Sequence, residues 1–590
     1  MTEKEKKDKN GLDLHILARV LKLAKPYGRL FWWTVFLAVT LAPITALRPY
    51  LVKEMVDVNI FNNDIDGLTF MAMIYIGITM LNTVMRYFFI YSTALLGQSI
   101  IQDFRVQVFD HITKLKLRFF DQTPIGTATT RTINDVEAVK RIFEQGSITI
   151  VADVLSIFMV LGMMFYSSWR LTMIFLLTVP LLIVATYIFK EKVKQAYQKV
   201  RQHISEMNAF LQERITGMRT VQIFNAEDQE MTKFKKINRS YTQANLDSIL
   251  YYAIFFPVVE LINALALALL VYWGTKGIWN SSISPGAVIA FPLFLNMIFR
   301  PIRMLANRFN EMQMGLVAAE RVYNILDNKS LIRNRGTIKD VDIAGKIEFQ
   351  DVGFAYDDKN YVLKNLSFEI KPGETLAIVG STGSGKTTII NLLGRYYDIN
   401  DGSILLDGKK LEKYELKFLR RRLALVLQDV FLFDGTVMEN IKLRDDEISD
   451  ASVYEAAKKI GAHEFIMNMP NQYDFRITER GNNLSMGQRQ LISFVRALVI
   501  NPDVLILDEA TSSVDTETES IIQYAIEQLI DKRSSIIIAH RLSTIRHADK
   551  ILVMEDGEAK EMGSHEELMQ IPDGNYRSLY ELQFETEPVA

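Results

Sequence analysis

Three glycines, three threonines and one lysine lie close together in residues 376–393, which read LAIVGSTGSGKTTIINLL. The first four residues are apolar and predict a buried strand, and the apolar spacing after Thr387 predicts a helix. Glycines between a strand and a helix let the backbone close around a phosphate, whose charge is favoured at the helix N-terminus. The Lys386 ammonium can reach the outer phosphates, and the Thr387 hydroxyl suits Mg²⁺. The predicted nucleotide-binding site comprises Gly380, Ser381, Thr382, Gly383, Ser384, Gly385, Lys386, Thr387 and Thr388.

Two adjacent carboxylates end a second apolar run, VLILDE at residues 504–509. A buried strand there would place both carboxylates at its end. Asp508 can then hold the water shell of Mg²⁺, and Glu509 can polarise an attacking water. The alternative, an exposed acidic turn, is disfavoured by the four apolar residues that precede the pair.

The pentapeptide LSMGQ, residues 484–488, opens a helix that is apolar on one face. The Ser485 hydroxyl and the backbone amides of such a helix start can bind an anion. Taken alone, the pentapeptide fits an ordinary helix cap equally well.

The composition narrows the class of protein. The 590 residues carry a net charge of −2 and no cysteine. The absence of cysteine excludes a disulfide framework. The net charge gives no overall basic field that would attract nucleic acid. The apolar residues are concentrated in the first half of the chain, which predicts a membrane part followed by a soluble part.

Six apolar stretches are long enough, or nearly so, to cross a bilayer. Lysine and arginine are frequent in the loops 98–145 and 190–246 and scarce in the other three, so both termini are predicted to be cytoplasmic. The predicted spans are residues 30–52, 68–97, 148–166, 171–189, 251–273 and 287–299.

The two basic loops keep a helical period and lack clusters of glycine and proline. They are predicted to be membrane helices extended into the cytoplasm, each with a short cross-helix, near residues 123–126 and Gly217. A disordered loop is the weaker alternative.

The remaining segments set the domain boundaries. Residues 14–25 predict a basic, amphipathic helix at the membrane interface. A cleaved signal peptide is disfavoured, because the first apolar segment has no small-residue cleavage site. From residue 346, strand-like runs alternate with helical stretches, the pattern of an α/β nucleotide-binding domain. The predicted parts are an N-terminal cytoplasmic helix (1–28), a transmembrane domain (29–327), a linker (328–345) and a nucleotide-binding domain (346–590).

These motifs resemble those of ATP-binding-cassette (ABC) ATPase domains. Nearly the whole chain resembles an ABC exporter half-transporter of the bacterial lipid flippase or multidrug exporter type, with the type IV fold. The resemblance implies six transmembrane helices with long cytoplasmic extensions, followed by an α/β P-loop domain. Beyond the motifs above, it is carried by residues 119–136, 213–228 and 318–327, by Phe354-Ala355-Tyr356, Gln428 and His540, and by the SSVD of residues 512–515.

The resemblance also implies roles for single residues. Tyr356 would stack on adenine, Gln428 would contact Mg²⁺ and the attacking water, and His540 would be the switch histidine. Met486 replaces the first glycine of the usual LSGGQ signature, and a working site is still expected. The further nucleotide contacts implied are Ser485, Gly487, Gln488 and Asp515.

Such proteins work as dimers in which each ATP lies between one subunit's phosphate loop and the other's signature. The resemblance therefore implies ATP and Mg²⁺ as cofactors, a second copy or a related half-transporter as partner, and a place in the bacterial inner membrane. Export or flipping of a lipid or amphiphilic drug is the favoured function, since Glu509 and His540 are both present. An ATP-gated channel or regulatory subunit and an exporter-shaped importer are the alternatives.

Ionisable side chains inside the predicted spans are costly, which makes them candidates for substrate contact. Three of them fall ~20 Å from the outer end of their spans, and two arginines fall deeper. An anionic headgroup among the arginines is one interpretation, and internal salt bridges that fix helix packing are the other. Arg303 could also lie near the headgroups and extend its side chain to them. The candidates are Arg86, Asp153, Glu260, Arg300 and Arg303.

Replacement of Glu509 by glutamine tests its predicted role directly. Glu509→Gln removes the base and keeps the shape, so we expect turnover to fall by about 100-fold or more while ATP still binds. ATPase and nucleotide-binding assays on the purified variant measure both quantities. Near wild-type hydrolysis would contradict the assignment.

Overall fold

The computed structural model describes residues 13–332, 334, 336–357, 359–443, 445, 447–508, 516–539 and 545–584. The chain divides into two compact units. A membrane unit comprises Met1–Thr113 and Gly126–Asn328, and an ATPase unit comprises Lys114–Ile125 and Lys329–Ala590. A short segment from within the first half of the chain therefore belongs to the second unit.

Twelve α-helices occupy the first half of the chain within the described residues, and all except α4 belong mainly to the membrane unit. They are α1 (Leu14–Lys22), α2 (Gly28–Glu54), α3 (Ile65–Thr113), α4 (Leu117–Gln122), α5 (Ile125–Thr130), α6 (Val136–Arg141), α7 (Ser147–Ser167), α8 (Trp169–Leu176), α9 (Val179–Thr216), α10 (Met218–Ile223), α11 (Glu227–Trp279) and α12 (Pro285–Leu326).

Six helical stretches are long and apolar enough to cross a membrane, judged by length and composition. Each contains one of the six predicted spans, so the predicted fold class is confirmed for this half. They are Lys25–Ile60, Ile65–Thr113, Ile125–Ser167, Trp169–Thr216, Glu227–Trp279 and Pro285–Leu326.

The helices run far beyond the predicted spans. The longest, α11, has 53 residues, which at ~1.5 Å per residue is ~80 Å, more than twice the thickness of a bilayer core. The short helices α4 and α10 lie next to the two predicted breaks. The fourth predicted span is interrupted between α8 and α9, where Pro180 occupies the first turn of the new helix.

The predicted N-terminal helix is present as α1. The carboxylate of Asp13 caps it by accepting hydrogen bonds from the backbone of the first turn. Val20 is fully buried, and Leu14 at the start of the helix is 70% exposed. Arg19 forms two hydrogen bonds with Asp327, at 2.7 and 2.8 Å, which tie α1 to the end of α12.

The ATPase unit contains twelve strands and nine α-helices within its described residues beyond Asn328. The strands are β1 (Ile347–Ala355), β2 (Tyr361–Ile370), β3 (Thr375–Gly380), β4 (Asp401–Leu406), β5 (Lys409–Lys410), β6 (Leu423–Val426), β7 (Gly435–Thr436), β8 (Arg476–Ile477), β9 (Val504–Asp508), β10 (Ser534–Ile538), β11 (Lys550–Glu555) and β12 (Glu558–Gly563). The helices are α13 (Lys386–Leu393), α14 (Leu416–Arg422), α15 (Val437–Lys442), α16 (Asp450–Lys459), α17 (Ala462–Met467), α18 (Met486–Val499), α19 (Thr516–Ile530), α20 (His565–Met569) and α21 (Asn575–Phe584).

A six-stranded sheet in the order β12-β11-β3-β10-β9-β6 forms the centre of the unit. Its inner strands are parallel, and only β12 at the edge runs antiparallel. An antiparallel sheet in the order β2-β1-β4-β5 lies in the same unit. Six strand-like runs of the sequence correspond to β1, β3, β6, β9, β10 and β11. These runs are residues 346–354, 375–380, 423–428, 503–509, 534–540 and 550–555.

Both faces of the central sheet are covered, which explains the unbroken apolar runs of its strands. Along β3, Leu376 and Ile378 pack into the core shared with the antiparallel sheet. Ala377 and Val379 point the other way, into the core that includes α18 and α19. The alternation of side chains along one strand thus ties two cores to the strand that leads into the glycine loop.

Candidate functional site

The candidate nucleotide site lies at the carboxyl edge of the central parallel sheet. The glycine loop follows β3, Asp508 ends β9, and Gln428 follows β6 by two residues. Parallel strands end at the same edge, so the topology brings together motifs far apart in sequence. Ala539 extends β10 to this edge and is hydrogen bonded to the carbonyl of Ile378.

Three glycines shape the loop because its backbone enters conformations that other residues rarely adopt. The φ angles of Gly380, Gly383 and Gly385 are +154°, +89° and +102°. A Cβ at position 380 would lie 2.2 Å from the carbonyl oxygen of Met554 on the neighbouring strand. The first glycine is therefore required by contact as well as by conformation.

The Lys386 ammonium closes over the loop. Its Nζ donates hydrogen bonds to the carbonyls of Gly380 at 2.8 Å and Ser381 at 2.9 Å. Burial lowers the pKa of Lys386, and the negative charge of Asp508 acts in the opposite direction. The Ser384 hydroxyl is buried without a hydrogen-bond partner among the described residues. A phosphate in the loop would give both groups an acceptor.

Oxygen donors suited to Mg²⁺ flank this lysine. The Thr387 hydroxyl is exposed in the first turn of α13, and the Asp508 carboxylate is 7% exposed at the end of β9. Asp508 is close enough to Lys386 to act on its charge. A hydroxyl, a carboxylate and a phosphate are ligands that Mg²⁺ prefers, so these residues fit the ion.

Tyr356, the predicted adenine contact, follows β1 and lies in the same unit as the loop. Its hydroxyl is 3.2 Å from the Thr388 hydroxyl and accepts a hydrogen bond from the Asn391 amide at 3.3 Å. Its ring packs edge-on against Phe354 and Tyr397, with centroid distances of 4.8 and 5.0 Å. The aromatic residue is thus positioned by α13, the helix that begins at the phosphate loop.

The signature pentapeptide forms a capping box at the start of α18. The Ser485 hydroxyl accepts from the Gln488 amide at 3.2 Å, and the Gln488 side chain accepts from the Ser485 amide at 2.9 Å. Ser485 is exposed and Gly487 is buried. Met486 lines a cavity of about 140 Å³ together with Gln428 of the same chain. Its side chain therefore lies beside the glutamine loop.

Three of the predicted site residues, Glu509, Asp515 and His540, lie outside the described residues. Glu509 directly follows Asp508, and His540 directly follows Ala539. Their assignment stays a prediction from sequence.

Comparison with known families covers both halves of the chain. Residues 31–302 match the ABC transporter transmembrane region, and residues 363–512 match the ABC transporter family. The chain belongs to the ABC transporter family. It is an exporter half-transporter, which joins one membrane region and one ATPase domain in a single chain, and it is an ATP-binding ATPase coupled to transport.

Several relatives of this half-transporter align over nearly its full length. An uncharacterized ABC transporter ATP-binding protein, YknV of Bacillus subtilis, is 37% identical over 574 residues, which is 96% of this chain and 94% of the relative. An ATP-dependent lipid A-core flippase of Syntrophus aciditrophicus is 34% identical over 98% of this chain and 96% of its own length. A putative multidrug export ATP-binding/permease protein, YgaD of Bacillus subtilis, is 34% identical over 96% and 99%.

In the membrane unit of the half-transporter, Asp153 on α7 pairs with Arg308 on α12. The same guanidinium donates to the carbonyl of Thr149 at 3.1 Å. Arg308 was missed from sequence because it lies nine residues beyond the end of the predicted sixth span, at Phe299.

The other predicted substrate residues separate into two groups. Arg86 and Arg300 are exposed on their helices, and their charges act on Asp153. Glu260 is exposed on α11 and forms no ion pair with any described residue. The side chain of Arg303 lies outside the described residues. Among the described residues, the charges of three arginines, at 86, 300 and 308, act on one carboxylate, Asp153. We call these four residues the Asp153 cluster.

The close approach at Gly380 can be tested by adding a methyl group. Gly380→Ala should clash with the Met554 carbonyl and weaken ATP binding at least about 10-fold, because the loop must shift to relieve the contact. Gly408→Ala is the matched control: its φ is +73° and nothing lies within 4 Å of the added Cβ. We expect the control to lose only about 1–2 kcal/mol of stability, which is the cost of a side chain in the left-handed conformation. Thermal unfolding and ATP titration measure both variants, and equal behaviour would contradict the steric requirement.

Proposed function

We propose that the chain exports or flips a lipid or amphiphilic drug across the bacterial inner membrane, driven by ATP hydrolysis at the site described above. The observation that carries this proposal is the Asp153 cluster, where arginines outnumber carboxylates within a membrane-spanning unit. Similarity to a lipid A-core flippase and a multidrug export protein supports it.

In ATP hydrolysis, the loops at the carboxyl edge of the sheet would each have a separate role. The amides of the glycine loop and Lys386 bind and orient the outer phosphates. Thr387, Asp508 and Gln428 would hold Mg²⁺, which supplies neutralising charge to the phosphate oxygens. Glu509 takes the role of base toward the attacking water, and His540 contacts the outer phosphate. These groups are in position before the reaction begins, so they can stabilise the charge that develops in the transition state.

The working form would be a homodimer, with the ATPase domain and both termini in the cytoplasm. Ser485 faces solvent at the N-terminus of a 14-residue helix, so it is available to a nucleotide bound by another subunit. Each subunit carries both halves of a site, and no second kind of chain is needed to complete it. A related half-transporter is the alternative partner.

The substrate would be an anionic amphiphile. One carboxylate neutralises one of the three arginines in the Asp153 cluster, and unpaired charge in a bilayer is costly. A phosphate or carboxylate headgroup would balance the remaining charge with strong hydrogen bonds to guanidinium groups. Arg308 is occupied by Asp153, so Arg86 and Arg300 are the residues proposed to contact the headgroup.

A mixed dimer tests the head-to-tail site. In the test dimer, one subunit carries Ser485→Arg and the other carries Lys386→Ala. Both defects then fall in the same composite site, and the second site stays intact. Placing both changes in one subunit, beside a wild-type partner, disables both sites and is the control. Since a lost catalytic group costs about 100-fold or more, we expect the first dimer to hydrolyse ATP at least about 10-fold faster than the control. Equal rates would contradict the arrangement.

The substrate proposal is tested in nanodiscs with and without phosphatidylglycerol. The double variant, Arg86→Ala with Arg300→Ala, should abolish stimulation of the ATPase activity by the anionic lipid. Its basal rate should stay within about two-fold of the wild-type rate, because both residues are distant in sequence from the ATP motifs.

Arg308→Ala is the matched control for that experiment. It leaves the Asp153 carboxylate without its partner, so we expect a lower unfolding temperature. If the Arg86 and Arg300 variant instead loses thermal stability and still responds to the lipid, the two arginines serve helix packing and the substrate proposal fails.

A further inference from the structure

A cavity of about 140 Å³ lies between the loop that follows β6 and the first turns of α18. Gln428 lines this cavity from the loop, and Gln490 lines it from the helix. Gln428 is the residue predicted to contact Mg²⁺ and the attacking water, so the surroundings of its side chain bear on hydrolysis. Gln490 belongs neither to the phosphate loop nor to the signature pentapeptide.

The Gln490 side chain is buried and has an unused hydrogen-bonding atom. The residue is 4% exposed, and its Oε1 atom has no hydrogen-bond partner among the described residues. A buried acceptor without a donor is destabilising, and native proteins rarely leave one unpaired. We therefore expect a donor to reach this atom in at least one state of the ATPase.

The neighbouring arginine on α18 is already engaged elsewhere. The Arg489 guanidinium donates hydrogen bonds to the carbonyls of Gly481 at 3.2 Å and Leu484 at 3.0 Å. A Cβ at position 481 would lie 2.8 Å from the Arg489 side chain, so the arginine is closely packed there. Arg489 therefore forms part of the cavity wall and is not free to turn towards Gln490.

The Gln428 amide is free to pair with Gln490. It is exposed, and within the described part of the chain its side chain forms no hydrogen bond. A glutamine amide carries both a donor and an acceptor, so it can pair with Gln490 whichever way that amide is oriented. Two exposed residues that line the same cavity are the alternative donors, Arg480 and Asn482.

We propose that Gln490 is a positioning residue that holds the Gln428 side chain in the cavity while the nucleotide site is empty. A hydrogen bond between the two amides satisfies the buried oxygen and keeps Gln428 away from the metal. Binding of Mg²⁺ with ATP draws Gln428 out, because the ion is the largest local charge. The proposal rests on the assignment of Gln428 as a Mg²⁺ contact.

Calorimetric titration of the full chain in nanodiscs with the non-hydrolysable analogue AMP-PNP tests this. Gln490→Met keeps the length of the side chain and removes its amide. Because the pairing withholds Gln428 from the metal, we expect this variant to bind Mg²⁺ with AMP-PNP about five-fold more tightly, which corresponds to one hydrogen bond. With EDTA in place of Mg²⁺, the affinity should stay within about two-fold of the wild type.

Two further titrations assign the effect to the pair of glutamines. In the Gln428→Ala background, Gln490→Met should change the affinity less than about two-fold, since both substitutions act on one contact. Gln523→Met is the matched control. Gln523 on α19 also has a buried oxygen without a partner among the described residues, but it does not line the cavity. We expect the control to bind Mg²⁺ with AMP-PNP within about two-fold of the wild type.

Hydrogen exchange of the nucleotide-free protein gives a readout that needs neither metal nor turnover. Amides of residues 427–431 should exchange at least about two-fold faster in Gln490→Met than in the wild type, and the difference should vanish once Mg²⁺ and AMP-PNP are bound. Gln428→Ala should raise exchange in the nucleotide-free state in the same way. Gln428 is exposed, so this second variant is expected to fold.

Four results would each overturn the proposal. The first is unchanged binding and exchange in Gln490→Met, and the second is an equal gain in affinity with and without Mg²⁺. The third is a full gain in the Gln428→Ala background or in Gln523→Met. The fourth is an Arg480→Ala variant that reproduces the gain, because the donor would then be Arg480.

Gln428→Ala alone distinguishes the underlying assignment from the new one. If Mg²⁺ strengthens AMP-PNP binding as much in this variant as in the wild type, Gln428 is not a Mg²⁺ contact and the underlying assignment fails. If Mg²⁺ strengthens binding less in this variant while Gln490→Met behaves as the wild type, only the role of Gln490 fails.

Discussion

The carbonyl oxygen of Met554 occupies the space that a side chain at position 380 would need, and the ATPase unit is arranged around that close contact. It exists because β11 runs parallel to β3 as far as Gly380, the first glycine of the loop, which pairs with Met554. On the other flank of β3, β10 is parallel and in register, followed by β9 with Asp508 at its end. The loop is thus held by a central strand that has hydrogen-bonded neighbours on both sides. A phosphate site built there is rigid before any ligand arrives, which is what electrostatic stabilisation of a transition state requires.

The sequence predicted those parts of the fold in which the physical signal is local. Membrane helices need a long apolar stretch, and strands buried on both faces contain continuous apolar runs, as in β3, β9 and β10. The antiparallel β2 was missed because its burial alternates with exposed Lys364 and Glu369 along the strand. Edge strand β12 has charged residues on its exposed face and no apolar run. Both strands owe their conformation to a partner that the local pattern does not reveal.

The same distinction applies to the site. The glycine loop and the helix cap at Ser485 are encoded by adjacent residues and could be predicted. Arg308 could not, because it acquires its importance from a partner more than a hundred residues away, Asp153 on another helix. Hydropathy placed Arg308 outside the membrane span, although its helix continues without interruption from the span to that residue.

The return of Lys114–Ile125 to the ATPase unit means that the boundary between the two functional parts is crossed three times by one chain. Leu115 pairs with Leu331, and Lys116 and Asp121 contact residues 397 and 398. Consider a chimaera that joins residues 1–328 of this chain to the ATPase domain of another half-transporter. It would keep residues 114–125 and replace their contact partners after residue 328. Residues 114–125 and 329–590 would have to be transplanted together. Substitutions in residues 114–125 are therefore expected to be accompanied by compensating substitutions in residues 329–590, although more than two hundred residues separate the two segments in the chain.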